Sequence, residues 1–127
     1  MAQRLTSISG SSRSFLGGAV VYSDKLKTLF AGVPASLIEA HGAVSKEVAG
    51  ALAEGIRRNT SATFGLGITG IAGPGGGSEE KPIGLVYVAV TDGKQTDVVE
   101  RRFGGDRDQV RAWSSQLALD MVRRRLK

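Results

Sequence analysis

Eight of the chain's 18 glycines fall between Gly65 and Gly84. Their densest part, Thr69-Gly-Ile-Ala-Gly-Pro-Gly-Gly-Gly-Ser78, cannot extend a helix, because glycine and proline are the poorest helix formers. Nor can it be a ladder strand: proline lacks the amide donor and glycine has no side chain to pack. Apolar runs flank it at residues 62–68 and 83–90. We read each run as a buried strand and the stretch between them as one specialised loop. Residues 83–90 are almost wholly apolar and β-rich, which predicts a strand in the sheet interior, covered on both faces.

The remaining elements are read from caps and periodicity. Ala2, Leu5 and Ile8 lie on one side of a helix tail over residues 2–9, ended by Gly10-Ser11-Ser12. Residues 16–22, LGGAVVY, form a short apolar run between turn residues and read as a strand. Ser23 or Asp24 caps a short helix running through Leu29 and Phe30, and Gly32-Val33-Pro34 stops it. Ser45 opens the clearest helix: Val44, Val48, Leu52 and Ile56 recur every four residues, and Ala49 and Ala53 widen the stripe. Arg57 and Arg58 occupy its last turn, the end of the dipole that favours cations. Asp92-Gly93 is a hairpin signal, and residues 95–103 return as a more polar edge strand. Asp106 caps the last helix with Gln109 three residues on, a variant of the capping box. Val110, Trp113, Leu117 and Met121 form the expected inner face of that helix. This order predicts an α/β fold, a three-layer α/β/α domain with a mixed sheet.

With 127 residues, the chain is one domain's worth. It has no cysteine and a single histidine, His41. That excludes a disulfide framework, a thiol nucleophile, a Cys/His zinc site and an iron–sulfur site. We expect neither metal nor cofactor. The net charge of +5 comes from residues 101–127, which carry eight basic and three acidic side chains. No aromatic residues interleave with these, so the basic end suits an anionic ligand or a solvated helix better than a nucleic-acid platform. No apolar run reaches the roughly 18 residues of a membrane span, and the expectation is a soluble, cytoplasmic protein.

Gly65-Leu-Gly-Ile-Thr-Gly70 matches the dinucleotide fingerprint G-x-G-x-x-G. That fingerprint needs its glycines at a strand-to-helix turn. Here the first two lie inside a predicted strand, and Pro74 with further glycines comes next, so the match is a coincidence. The loop from Thr69 to Gly77 has two readings. Its backbone N–H groups can approach an anion or a developing oxyanion, with the Thr69 hydroxyl beside them; or it is a flexible surface connection. Tyr22 and Lys27 also have two. Tyr22 ends a strand and Lys27 lies in the next helix, so both can face one mouth, where a buried lysine can act as a base toward a serine. The alternative is a solvated lysine beside a half-buried tyrosine. Arg107, at a helix N-terminus after Gly104-Gly105-Asp106, either offers an anion its guanidinium fork or pairs with Asp106 or Asp108. His41 reads as a loop residue without a special role, and the arginine-rich tail as a solvated face.

Several stretches together closely resemble the CinA C-terminal domain family. They are Ser11-Ser12-x-x-Phe15 leading to Tyr22-Ser-Asp-x-x-Lys27, His41-Gly-Ala-Val-Ser45, Thr69-Gly-Ile-Ala-Gly-Pro-Gly-Gly-Gly-Ser-Glu-Glu-Lys-Pro-Ile-Gly84, and Phe103-x-Gly-Asp-Arg-Asp108. The resemblance covers essentially the whole chain, residues 1–127, as one domain of that type. It implies a nicotinamide-nucleotide amidohydrolase, which hydrolyses the carboxamide of nicotinamide mononucleotide (NMN) to nicotinate mononucleotide and ammonia. It also implies a homodimer without a metal. Tyr22 and Lys27 would then be catalytic, with Lys27 as the base. Thr69, Gly70, Gly73 and Gly75 would hold the amide or its oxyanion, and Arg107 the 5′-phosphate. One departure stands out. The family has an upstream strand ending in A-E-S-C-T-G-G, whose serine is the nucleophile, and Met1-Ala-Gln-Arg-Leu-Thr6 matches the family's segment just after those two glycines. The expected domain is therefore truncated at its N-terminus and lacks the family's first strand. Two classes of function stand: an amidohydrolase, or a non-catalytic nucleotide-binding remnant.

Overall fold

The computed structural model describes residues 1–126. Helix α1 (Ala2–Thr6) leads through a 3₁₀ turn at Ser11–Arg13 to an extended stretch. Helices α2 (Asp24–Ala31), α3 (Ala35–His41) and α4 (Lys46–Thr60) come next, then strands β1 (Gly65–Gly70), β2 (Leu85–Thr91) and β3 (Thr96–Arg102), and last helix α5 (Arg107–Arg125).

The strands form one sheet in the order β1-β2-β3, with every pair antiparallel. The three layers are as expected, but among the described residues the sheet is antiparallel, not mixed. Each connection reverses the chain: the glycine-rich loop returns β2 beside β1, and the turn at Asp92 and Gly93 returns β3 beside β2. β2 is the central strand, with Val86, Val88 and Val90 nearly inaccessible. Its alternation assigns one helix to each face. Val86 and Val88 pack with Val110 and Ala118 of α5, while Ala89 packs with Ala49 and Ala53 of α4. β1 alternates in the same way. Leu66 and Ile68 join the α5 side, and Gly65 and Gly67 face α4. A Cβ at Gly67 would collide with the Ala49 carbonyl and lie 2.8 Å from the Ala53 nitrogen. The two glycines of the false dinucleotide fingerprint therefore let a helix approach the sheet closely.

α4 is buried on two sides. Val48 and Leu52 pack with Ala31, Val33 and Ile38 of the α2–α3 region, while its alanines meet the sheet. The predicted caps are in place. Ser23 caps α2, Ser45 caps α4, and Asp106 with Gln109 completes a capping box on α5.

Three expectations need correction. Residues 16–22 are extended but join no ladder. Val21 packs on the α2–α3–α4 core, whereas Leu16, Val20 and Tyr22 on the opposite face are 64%, 85% and 81% exposed. The run thus has strand-like alternation but, among the described residues, no neighbouring strand. Second, α1 is only five residues long, and Ile8 lies beyond it, exposed. Third, the face of α5 toward the sheet includes the predicted Val110, Leu117 and Met121, together with Ser114, Ser115 and Ala118, but not Trp113. Trp113 stands at its margin, 42% exposed, with its ring 5.9 Å from that of Phe103. Small residues line the contact because α5 lies close to the valines of β2.

Candidate functional site

The end of β1, the glycine-rich loop and the N-terminus of α5 meet around Arg107. As the first residue of α5, Arg107 sits where unpaired backbone N–H groups and the helix dipole already favour an anion. Its Nη1 donates to the Gly73 carbonyl at 2.9 Å and its Nη2 to the Tyr22 hydroxyl at 3.2 Å. Neither neighbouring acid takes it. Asp106 is the helix cap, accepting from the Gln109 N–H, and Asp108 pairs with Arg111. The Arg107 guanidinium therefore has neutral hydrogen-bond partners, and its charge is open to an incoming anion.

This contact joins three of the sequence-predicted residues, Tyr22, Gly73 and Arg107, across 85 positions of chain. Gly73 has φ +81°, a left-handed conformation that presents its carbonyl to the arginine. Gly75 lies further along the exposed loop, and a Cβ there would meet nothing within 4 Å. Thr69 and Gly70 end β1, and Thr69 is buried. The Thr69 hydroxyl donates to the Ala43 carbonyl at 2.8 Å. Its proton is thus engaged, and its lone pairs remain free to accept. Beside Gly70 a cleft of about 230 Å³ opens between Ile68, Ala72, Val86, Val110 and Arg111.

Lys27 is buried, 8% exposed, in the middle of α2. Its ammonium lies 3.7 Å from the Asp24 carboxylate one turn earlier. Among the described residues it has no hydrogen bond with Tyr22, Thr69 or Arg107. His41 is the last residue of α3 rather than a loop residue, and its carbonyl accepts from Lys81 Nζ at 2.7 Å. Sequence reasoning gave no role to Lys81 or to the Ala43 carbonyl. Their partners lie 40 and 26 positions away, and no local pattern marks contacts of that range. Among the described residues no group of His, Asp and Glu side chains has the arrangement of a metal site.

The CinA C-terminal domain matches residues 1–126. The chain belongs to the CinA C-terminal domain family. A CinA-like protein of Koribacter versatilis is 65% identical over 126 residues, covering 99% of this chain and 30% of its own length. One of Acidobacterium capsulatum is 67% identical over 126 residues, with the same coverage. The chain thus spans about a third of the curated relatives it matches. Solved CinA-family structures share the fold. The competence/damage inducible protein CihA of Agrobacterium tumefaciens aligns with TM-score 0.88 at 37% identity, over 95% of this chain and 74% of that one. The competence damage-inducible protein A of Klebsiella pneumoniae aligns with TM-score 0.93 at 29% identity, over 98% and 78%. These likenesses agree with an α/β fold. No helix among the described residues is long and apolar enough to cross a membrane.

Proposed function

We propose that this CinA domain binds a pyridine mononucleotide and belongs to an amidohydrolase that converts NMN to nicotinate mononucleotide and ammonia. The observation that carries the reading is Arg107. It is a cation at a helix N-terminus, held by neutral partners, and it borders a glycine-rich loop at the end of a strand. A phosphate there would receive the guanidinium fork and the α5 backbone N–H groups together. Tyr22, already bonded to that fork, would hold it in place.

The carboxamide would then lie along the loop. Thr69 is oriented to accept an N–H of the amide, since its own proton goes to Ala43. Backbone N–H groups of the segment through Gly70, Gly73 and Gly75 would receive the oxyanion. In the complete reaction a serine Oγ from an upstream segment bonds to the amide carbon, and the Lys27 amine takes the hydroxyl proton. The tetrahedral intermediate collapses as the C–N bond breaks, and Lys27 returns the proton to the departing ammonia. Water then cleaves the acyl ester to nicotinate mononucleotide and regenerates the serine.

A second reading is favoured by one observation. Among the described residues no serine hydroxyl is hydrogen-bonded to Lys27, and Ser7 donates to the Arg4 carbonyl instead. On that reading residues 1–127 bind the nucleotide without turning it over. Titration calorimetry of the Arg107→Ala variant tests the site common to both readings. It should lose more affinity for NMN than for the dephosphorylated riboside, by the roughly 1.5–3 kcal/mol of a charge-assisted contact. Equal losses for the two ligands would remove Arg107 as the phosphate clamp.

A further inference from the structure

Residues 71–84 form a loop with a closed neck. The Gly84 N–H donates to the Ile71 carbonyl at 2.7 Å, and the Ile71 N–H to the Leu85 carbonyl at 2.9 Å. Beyond the neck two side chains from elsewhere hold the loop. Arg107 reaches the Gly73 carbonyl on the near limb. Lys81, on the far limb, reaches out to the His41 carbonyl at 2.7 Å.

The Lys81 contact has the marks of a built anchor. Its backbone is fixed by a turn: the Ser78 N–H donates to the Lys81 carbonyl at 2.8 Å, and the Lys81 N–H to Ser78 Oγ at 3.0 Å. The ammonium therefore starts from a defined point. Its acceptor is the last residue of α3, where unpaired carbonyls favour a cation. The next residue, Gly42, leaves room for it, since a Cβ there would lie 2.7 Å from Lys81 Nζ. Two residues after His41, the Ala43 carbonyl accepts the Thr69 hydroxyl. The strap 41–43 thus receives both the entry to the glycine-rich loop, through Thr69, and its far limb, through Lys81.

The two holds respond differently to a ligand. An anion at the α5 N-terminus competes with the Gly73 carbonyl for the Arg107 fork, so that hold weakens when the site fills. The Lys81 hold ends on the His41 carbonyl of α3 and shares no atom with the Arg107–Gly73–Tyr22 contact. We infer that Lys81 is a positioning residue: it keeps the far limb of the glycine-rich loop in receiving geometry by a ligand-independent bond to the end of α3. What the loop receives rests on the nucleotide reading above.

The test uses the 127-residue chain with Lys81→Met, which keeps the aliphatic stem and removes the donor, and Lys81→Arg, which restores a donor. Backbone hydrogen exchange is followed in residues 73–84 and in β2, and NMN binding by calorimetry. In Lys81→Met, exchange in the loop should speed up while β2 keeps the parent's protection. NMN affinity should fall about tenfold, the scale of one charge-assisted hydrogen bond, with a larger entropic penalty. Lys81→Arg should recover both. Unchanged loop exchange in Lys81→Met overturns the anchor, and faster exchange spread equally through β2 does too, because it reports general destabilisation. Faster loop exchange with unchanged NMN affinity overturns the positioning role. A parent chain that binds no NMN removes the nucleotide reading, while the exchange comparison still decides the anchor.

Discussion

Ser45 holds the start of α4 from two directions. Its Oγ accepts from the Val48 N–H at 3.2 Å and donates to the Gly42 carbonyl at 2.9 Å, in a buried setting. Ser45→Ala removes the helix cap and leaves the Gly42 carbonyl without its donor. We expect a stability loss of about 1–2 kcal/mol, read by urea denaturation, and a loss near zero would mean that solvent replaces both bonds. Gly67 constrains the same helix from the sheet side. Gly67→Ala forces a methyl against the Ala49 carbonyl and the Ala53 nitrogen, where only backbone could move. It should cost about 1–3 kcal/mol by the same measurement, and a variant as stable as the parent would show that α4 can withdraw from β1. Caps such as Ser23, Ser45 and Asp106 were legible in the sequence because a cap bonds three residues ahead. The place of Arg107 at a helix N-terminus was legible for the same local reason. Its bonds to Tyr22 and Gly73, and that of Lys81 to His41, depend on where the folded chain brings distant segments.

The arginine-rich end of α5 is more than a solvated face. Arg123 and Arg124 pair with Asp120 on their own helix. Arg125 is mostly buried and reaches the β2–β3 hairpin, 3.1 Å from Asp92 and 2.7 Å from Asp97. Hydrogen bonds from Arg125 and then Gln95 hold the Asp97 carboxyl below its ordinary 3.8. Asp92 is lowered first by backbone N–H bonds from Gln95 and Lys94, with Arg125 adding to it. A carboxylate lowered in the folded state stabilises the fold above its unfolded pKa. That contribution disappears as pH falls through the folded value. Arg125→Ala should therefore lower the thermal midpoint at neutral pH, and the gap to the parent should close below pH 3.8 as both acids protonate. A gap constant with pH would mean that Arg125 acts through packing alone. At this scale the sequence revealed elements whose pattern is internal. α4, β2 and the hairpin have strong periodicity or turn chemistry, and they form as read. Residues 16–22 carry a strand pattern that lacks a partner, and α3 escaped notice because seven residues after Pro34 make too short a periodic signal.

Among the described residues the sheet has two free edges, β1 and β3, each paired only with β2, and the apolar outer face of Leu16, Val20 and Tyr22 is exposed. An open edge and an extended apolar segment favour association, so we expect the 127-residue chain to form at least a dimer. Light scattering that reports a monomer at micromolar concentration would refute this. The proposed chemistry divides the molecule similarly. On the proposed reading Arg107, Tyr22, Thr69 and the glycine-rich loop would bind and orient the nucleotide, but Lys27 could accept a proton only from a nucleophile beside it. The serines at positions 7, 9, 11 and 12 occupy the exposed stretch from the end of α1 through the 3₁₀ turn, and none is hydrogen-bonded to Lys27. Residues 1–127 should therefore bind NMN yet release ammonia from it several orders of magnitude more slowly than an ordinary enzyme. Some rate above water should persist, since an oxyanion site retains catalysis when its nucleophile is missing. Extending the chain upstream with a strand ending in the serine-bearing A-E-S-C-T-G-G motif should restore turnover, and Lys27→Ala in that extended chain should abolish it. The measurement is ammonia release from NMN by each purified form. Turnover on the order of 1 s⁻¹ by residues 1–127 alone, within the usual enzyme range, would assign the nucleophile to a serine already present or to a lysine-activated water.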